Sequence, residues 1–225
     1  MKAYHQYIYD GQGRRIIGDF ESAYRECDDV WPSQHNVDRM KYQWPTWALR
    51  QKGPGARLLD IGAGYGDYLA RLAGQGLSAW GIEISPSAVA KGRRRFGGQL
   101  PLLVGDVRCG LSFPDRSFDV VVVFGVLWFL LDDIDACLAE VVRVLRPGGS
   151  AFFSLVMCED PIGKEILGSY HDMIELLRRR FTVREAVLGH DSAALAQGRP
   201  LAECFTEMTA RCVPPGDETP EARDG

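Results

Sequence analysis

No C-x-x-C pair occurs among the six cysteines of this 225-residue chain, Cys27, Cys109, Cys137, Cys158, Cys204 and Cys212. Their scatter excludes metal-ligand spacing and a small-domain disulfide framework, and predicts thiols buried in a reducing compartment with no bound metal. The first fifteen residues, MKAYHQYIYDGQGRR, lack an apolar h-region, so no signal peptide is expected. Long hydrophobic runs are missing too. The longest, residues 120–131, is interrupted by Gly125 and is too short to span a bilayer. Charge of one sign is scarce: the net charge is −4, and the basic clusters are Arg93-Arg94-Arg95 and Arg178-Arg179-Arg180. Both read as helix C-termini, where cations suit the dipole, and not as a nucleic-acid footprint. These absences predict a soluble, cytoplasmic protein with no nucleic-acid or membrane partner. The 46% hydrophobic content suits one sizeable core.

One stretch stands out, Arg57 to Leu69, RLLDIGAGYGDYL. Leu58 to Ile61 read as a strand, Gly62, Gly64 and Gly66 as a turn, and Tyr68, Leu69 and Leu72 as the apolar face of a helix. A glycine turn opening a helix lets the backbone approach a ligand and offers it a positive helix end. The dinucleotide pattern G-x-G-x-x-G would need its third glycine at position 67, which is Asp67. The pattern is instead D-x-G-x-G-x-G, with Asp60 before the turn. It resembles the cofactor loop of class I S-adenosylmethionine (SAM)-dependent methyltransferases.

Strand and helix patterns alternate from there. Strands are expected at 56–61, 77–84, 100–104, 118–124, 150–157, 181–188 and about 201–213. Helices are expected at about 66–74, 86–96, 134–145 and 162–180. Ser85-Pro86 is an N-cap followed by a first-turn proline. Asp132-Asp133 is expected to cap the next helix, and Arg146-Pro147-Gly148-Gly149 to stop it. Upstream, helices are expected at 16–25 and at 33–50, the second divided by Pro45. The pattern predicts an α/β fold, a doubly wound, mostly parallel seven-stranded Rossmann-like sheet with its last strand antiparallel and an N-terminal helical cap. Residues 1–54 form the cap and substrate lid, 55–213 the cofactor domain, and 214–225 a disordered tail.

Open α/β sheets bind ligands at the carboxyl ends of their strands. Glu83 ends the second strand about twenty residues beyond the glycine turn, where a carboxylate can accept hydrogen bonds from ribose hydroxyls. Gly105-Asp106-Val107 follows the third strand; there a carboxylate can take a bond from an adenine amino group. The resemblance extends to these places, to Phe118-Asp119-Val120-Val121 and to Arg143-Val144-Leu145-Arg146-Pro147-Gly148-Gly149, and covers about residues 56–157. It implies a SAM site made by Asp60, Gly62, Ala63, Gly64, Gly66, Glu83, Ile84, Gly105, Asp106, Val107, Phe124 and Gly125, with S-adenosylhomocysteine as product. Where related enzymes carry E-V-L-E-H, this chain reads Gly125-Val126-Leu127-Trp128-Phe129, an aromatic wall in place of polar residues. A short similarity to nodulation-type N-methyltransferases rests on Asp28-Asp29-Val30-Trp31 and Lys41-Tyr42.

The expected function is methyl transfer to an oxygen or nitrogen of a small molecule, a sugar or secondary metabolite, by a monomer or homodimer. Methyl transfer needs in-line alignment above all, and a base where the acceptor is a hydroxyl or protonated amine. His35, His171 and Tyr42 are the base candidates, with Glu159-Asp160 further. Two alternatives stay open: an NAD-type oxidoreductase, which shares the broad fold, and a non-catalytic SAM-binding protein, suggested by Trp128 and Phe129.

Overall fold

The computed structural model describes residues 5–10, 16–31, 40–156, 164–190 and 206–216. Seven strands form one sheet: β1 (Arg57–Ile61), β2 (Ser78–Glu83), β3 (Leu102–Val104), β4 (Phe118–Phe124), β5 (Leu145–Val156), β6 (Thr182–His190) and β7 (Thr206–Val213). Their order is β3-β2-β1-β4-β5-β7-β6. β1 to β5 run parallel, and β7 lies antiparallel between β5 and β6. The expected sheet is therefore present, with its last strand reversed.

Side chains alternate across the strands, and both faces are buried. Leu58, Val120, Val122 and Phe152 pack with Leu69 and Leu72 of α4 (Asp67–Gly74), Val89 of α5 (Pro86–Arg95) and Leu49 of α3 (Met40–Gln51). Leu59, Val121, Val123 and Phe153 face the other way, onto Leu138 and Val141 of α6 (Ile134–Val144) and Met173 and Leu177 of α8 (Tyr170–Arg178). Each of these side chains contributes about 1.5–3 kcal/mol when fully buried. Such two-faced burial is why β4 reads as one apolar run, Val120 to Val123. Cys137 and Cys212 are buried as expected of core thiols, whereas Cys109 is exposed in a turn after β3. At the amino ends of the strands, Asp119 Oδ2 accepts from Arg57 N at 2.8 Å and from Arg146 Nη1 at 2.7 Å. The F-D-x-V and R-P-G-G segments thus tie β1, β4 and β5 together.

The N-terminal region contributes α1 (His5–Ile8), α2 (Phe20–Glu26) and α3. α2 begins later than residue 16 because Asp19 caps it, accepting from Ser22 N at 3.0 Å. Pro45 does not divide α3. The disturbed turn is served by side chains: the Tyr42 carbonyl accepts from Thr46 Oγ1 at 2.6 Å and Tyr68 Oη at 3.1 Å. The 162–180 helix is two helices, α7 (Lys164–Leu167) and α8, broken where Ser169 caps α8 through Asp172 N at 3.2 Å. Asp132 and Asp133 make no side-chain cap; two 3-10 turns, Leu127–Phe129 and Leu131–Asp133, lead into α6 instead. α6 stops earlier than the expected signal, at Val144 with Leu145 extended, and residues 146–149 fall inside β5, where its pairing with β4 is irregular. Among the described residues no helix is long and apolar enough to cross a membrane.

The fit of α5 against the glycine turn is close. A methyl group placed at Gly92 would lie 2.2 Å from the Tyr65 carbonyl oxygen, a backbone atom. Gly92→Ala should therefore push α5 off the turn and lower the thermal midpoint by about 5 °C, as overpacking does elsewhere. Differential scanning calorimetry tests this; an unchanged midpoint would show that helix and turn can separate at little cost.

Candidate functional site

A cavity of about 670 Å³ opens at the carboxyl ends of β1, β2, β3 and β4. Its floor is polar: Asp60, Glu83 and Lys41 line it together with Ala63, Tyr42 and Phe124. Its mouth is apolar and aromatic, built by Phe20, Trp31, Trp128, Phe129 and Leu130 among others. Ile17, Ile84 and Ile166 are large apolar residues at least a third exposed, and all three line this cavity. Exposed apolar surface gathered in a concave site marks ligand contact.

Glu83 organises the floor. It is buried, and one oxygen accepts from Gly64 N at 2.9 Å while the other accepts from Ser85 N at 3.0 Å. Gly62 and Gly64 take left-handed backbone angles, φ 78° and 56°, that aim the turn this way. The amides of Gly62 and Ala63 donate to the Ile82 carbonyl, at 2.8 and 3.1 Å, and Gly66 N donates to the Ala63 carbonyl at 2.9 Å. Four N–H groups of the turn are thus spent inside the protein. Gly64 and Gly66 shape the turn and lie behind the cavity wall, whereas Gly62 and Ala63 line it. The network continues outward: Ser85 Oγ donates to Glu21 Oε2 at 2.6 Å, and Glu21 also accepts from Ser87 N at 3.1 Å and Ser87 Oγ at 2.5 Å. Burial opposes ionisation of Glu21, but these serine hydrogen bonds outweigh it and hold the carboxyl below the usual range.

Asp60 lies beside Glu83 at the end of β1. Burial first, then the Glu83 charge, push its carboxyl up to about 7, against the opposing pull of Lys41. Burial likewise raises Glu83, opposed by the backbone N–H groups of Ser85 and Gly64. Two desolvated carboxylates beside an open cavity favour a cationic ligand group.

Ile84, Gly105, Asp106 and Val107 line the β2–β3 side, and Phe124 and Gly125 the end of β4. Asp106 is already engaged. Arg108 donates to both its oxygens, Nε at 2.9 and 3.0 Å and Nη2 at 2.7 Å, which holds the carboxyl below its usual range. Any ligand amino group would share those oxygens. Tyr42 is buried against Tyr68 and Phe124, with ring centroids at 4.9 and 5.6 Å, and its side lines the cavity. His171 sits exposed on α8, away from the lining residues. His35 and Glu159-Asp160 lie outside the described residues. Sequence reasoning left unassigned Lys41, whose buried partner Glu207 is 166 positions away, and Glu21, whose serine partners are about 65 away. Trp128 Nε1 donates to the Val156 carbonyl at 3.2 Å, and Phe129 packs edge-on to Phe20 at 4.8 Å. Of the aromatic pair that replaces polar residues, Phe129 therefore seats the N-terminal segment and Trp128 ties the loop to β5.

The sheet order thus sets the cavity at the carboxyl ends of the parallel strands, where open α/β sheets take their ligands. Residues 59–153 match the family model described as a methyltransferase domain. The chain is 37% identical over 137 residues to the ubiquinone/menaquinone biosynthesis C-methyltransferase UbiE of Burkholderia orbicola, covering 56% of this chain and 54% of that protein. The chain thus spans about half the length of the curated relatives it matches. The fold is also similar to a TehB-like SAM-dependent methyltransferase of Corynebacterium glutamicum, with TM-score 0.57 and 23% identity, over 76% of this chain and 86% of that one. It resembles the [4+2]-cyclase SpnF comparably, with TM-score 0.59 and 20% identity over 84% and 86% of the two chains. At such identities the two structures speak for the fold alone.

The Asp60 shift has a sign that can be tested. A carboxyl whose folded pKa lies above its unfolded value binds protons on folding, so stability falls as pH rises from about 4 through about 7. An asparagine in its place carries no charge at any pH. The midpoint of ligand-free Asp60→Asn should therefore rise relative to the unaltered protein across that window, by on the order of 5 °C, and the gap should level off near pH 8. Thermal melts from about pH 4.5 to 8.5 check this; a pH-independent gap would place Asp60 ionised throughout.

Proposed function

We propose that this protein is an enzyme that binds SAM in the cavity and transfers its methyl group to a small-molecule acceptor at the aromatic mouth, leaving S-adenosylhomocysteine. The observation that carries the reading is the glycine turn with four of its amides already spent, set beside two buried carboxylates. A dinucleotide needs turn amides for its pyrophosphate and would bring negative charge against Asp60 and Glu83. SAM has no phosphate and carries a cationic sulfonium and ammonium, which suit that floor. Glu83 would accept from the ribose hydroxyls. Ile84, Gly105, Asp106 and Val107 would hold the adenine. Asp60, Gly62, Ala63, Phe124 and Gly125 would face the sulfonium and amino-acid end.

SAM supplies an activated methyl; the chain's part is to align the acceptor and exclude water. The lining of the mouth favours a planar aromatic metabolite over a sugar, because Phe20, Trp31, Trp128 and Phe129 offer faces and few hydrogen-bond partners. Transfer to an oxygen or nitrogen on such a ring remains the reading from the sequence. The C-methyltransferase relatives give transfer to a ring carbon equal standing. Tyr42 is the base candidate that lines the cavity. A non-catalytic SAM-binding role finds support in the absence of histidine from the described lining residues. Labelled-methyl transfer to phenols, quinols, amines and sugars separates the two: incorporation into any acceptor excludes a purely binding role.

Isothermal titration should detect S-adenosylhomocysteine binding and little with NAD; the reverse would sink the methyltransferase reading. Glu83→Gln, which keeps the shape and one acceptor, should weaken S-adenosylhomocysteine binding about 10- to 100-fold, the worth of charge-assisted hydrogen bonds.

A further inference from the structure

Arg108 occupies the carboxylate placed for the adenine. Asp106 caps the 3-10 turn Val107–Cys109, with its Oδ1 accepting from Arg108 N at 3.0 Å. So tight a turn brings the Arg108 side chain back over its own cap. Nε donates to Oδ1 at 2.9 Å and to Oδ2 at 3.0 Å, and Nη2 donates to Oδ2 at 2.7 Å. An ionised carboxylate offers about four lone-pair directions. Oδ1 has two donors, and Oδ2 has one and a share of another. An adenine amino group can reach these oxygens in good geometry only where the guanidinium gives way.

The guanidinium is free to do so. The Arg108 side chain is 40% exposed and that of Asp106 24%, and ion pairs at such exposure are individually weak. A second set of carboxylates stands nearby. α6 packs beside the turn that carries Arg108, and Asp132 and Asp133 lead into α6. Asp132 lines the cavity together with Asp106 and Arg108, and the Asp133 side chain caps nothing on α6. Asp133 is close enough for its charge to act on Arg108. The Asp106 hydrogen bonds first, then the charges of Asp106 and Asp133, hold the guanidinium above its ordinary pKa against the effect of burial.

We infer that Arg108 competes with the cofactor's adenine for Asp106: it fills the carboxylate while the site is empty, and an incoming amino group takes its place as the guanidinium turns to Asp132 and Asp133. The inference rests on the methyltransferase reading and on the adenine placed at Asp106. The exchange swaps one set of N–H donors for another, so Asp106 is never left buried without a partner. Breaking the ion pair lowers the affinity of every adenine ligand by one common factor, whatever the rest of that ligand carries. Removing the arginine therefore tightens binding, the opposite of what removing a ligand contact does.

Calorimetric titration of the full chain tests this. Arg108→Ala should bind S-adenosylhomocysteine about three- to tenfold more tightly than the unaltered protein. 5′-Methylthioadenosine, which keeps adenine and ribose without the amino acid, should gain by the same factor. In an Asp106→Ala background, where there is no carboxylate to compete for, removing Arg108 should change either affinity by less than about twofold. Unchanged or weaker binding by Arg108→Ala, a gain confined to one ligand, or an equal gain in the Asp106→Ala background would each overturn the inference. Arg108→Gln keeps the length of the side chain without its charge; it is measured beside the alanine variant in case that one fails to fold, and should shift affinity the same way. An Asp106→Ala protein that binds S-adenosylhomocysteine as tightly as the unaltered one would take the adenine away from Asp106 and this inference with it, while the methyltransferase reading stood. An unaltered protein that binds neither ligand would overturn both.

Discussion

The carboxylate of Glu83 is the constraint on which the site depends. It ends β2, holds the glycine turn through Gly64 N, and holds the start of α5 through Ser85 N. A buried carboxylate is tolerable only when it is well hydrogen-bonded. These two backbone amides meet that need and in doing so lock three segments to one another. Ser85 then carries the connection to Glu21 on α2. The N-terminal cap is thereby attached to the same point that fixes the turn. Tyr65, inside the turn, strengthens the attachment, since its hydroxyl donates to the Asp28 carbonyl at 3.1 Å and its ring packs on Tyr24 at 5.1 Å. The N-terminal helix α2 and the cavity floor are one hydrogen-bonded unit.

The electrostatics follow from that arrangement. Burial raises both carboxyls, the Glu83 charge raises Asp60 further, and the cost stays in the ligand-free protein. A cationic ligand relieves it. The strain therefore selects by charge: a sulfonium gains where a phosphate would lose. The turn makes the same distinction by hydrogen bonding, because its amides serve Ile82, Ala63 and Glu83. Two independent features of one loop thus point away from a dinucleotide.

Much of this was legible in the sequence, for a physical reason. Strand β4 is buried on both faces and shows as an unbroken apolar run, Val120 to Val123, and the glycine spacing is a local pattern that local steric rules decode. The residues read from those strand ends do line the cavity, except Gly64 and Gly66 behind the turn. What could not be read depends on partners that spacing does not reveal. Pro45 suggests a break until Tyr68, 26 positions beyond Tyr42, is seen bracing the Tyr42 carbonyl. Asp106 suggests a vacant adenine acceptor until Arg108 folds back on it. The helix at 162–180 looks continuous by periodicity because both halves share one apolar face; the serine that divides it acts through a single cap hydrogen bond.

The departure at Trp128 and Phe129 takes on a different meaning in three dimensions. In a chain whose acceptor base came from that loop, two aromatics would be a loss. Here Phe129 is the surface on which Phe20 and Trp31 rest, with centroids 4.8 and 6.3 Å away, and Trp128 is fixed by its hydrogen bond to β5. The helix α2 that Glu21 ties to the cavity floor is thus also packed onto Phe129 at the cavity mouth. On the methyltransferase reading, the same few residues close the site and define what can enter it. On that reading, a polar residue at 129 would serve an acceptor hydroxyl only by loosening the packing of Phe20 and Trp31 on Phe129. Phe129 favours that packing, so on the methyltransferase reading an acceptor preference would be sought in shape and aromatic stacking before hydrogen bonding.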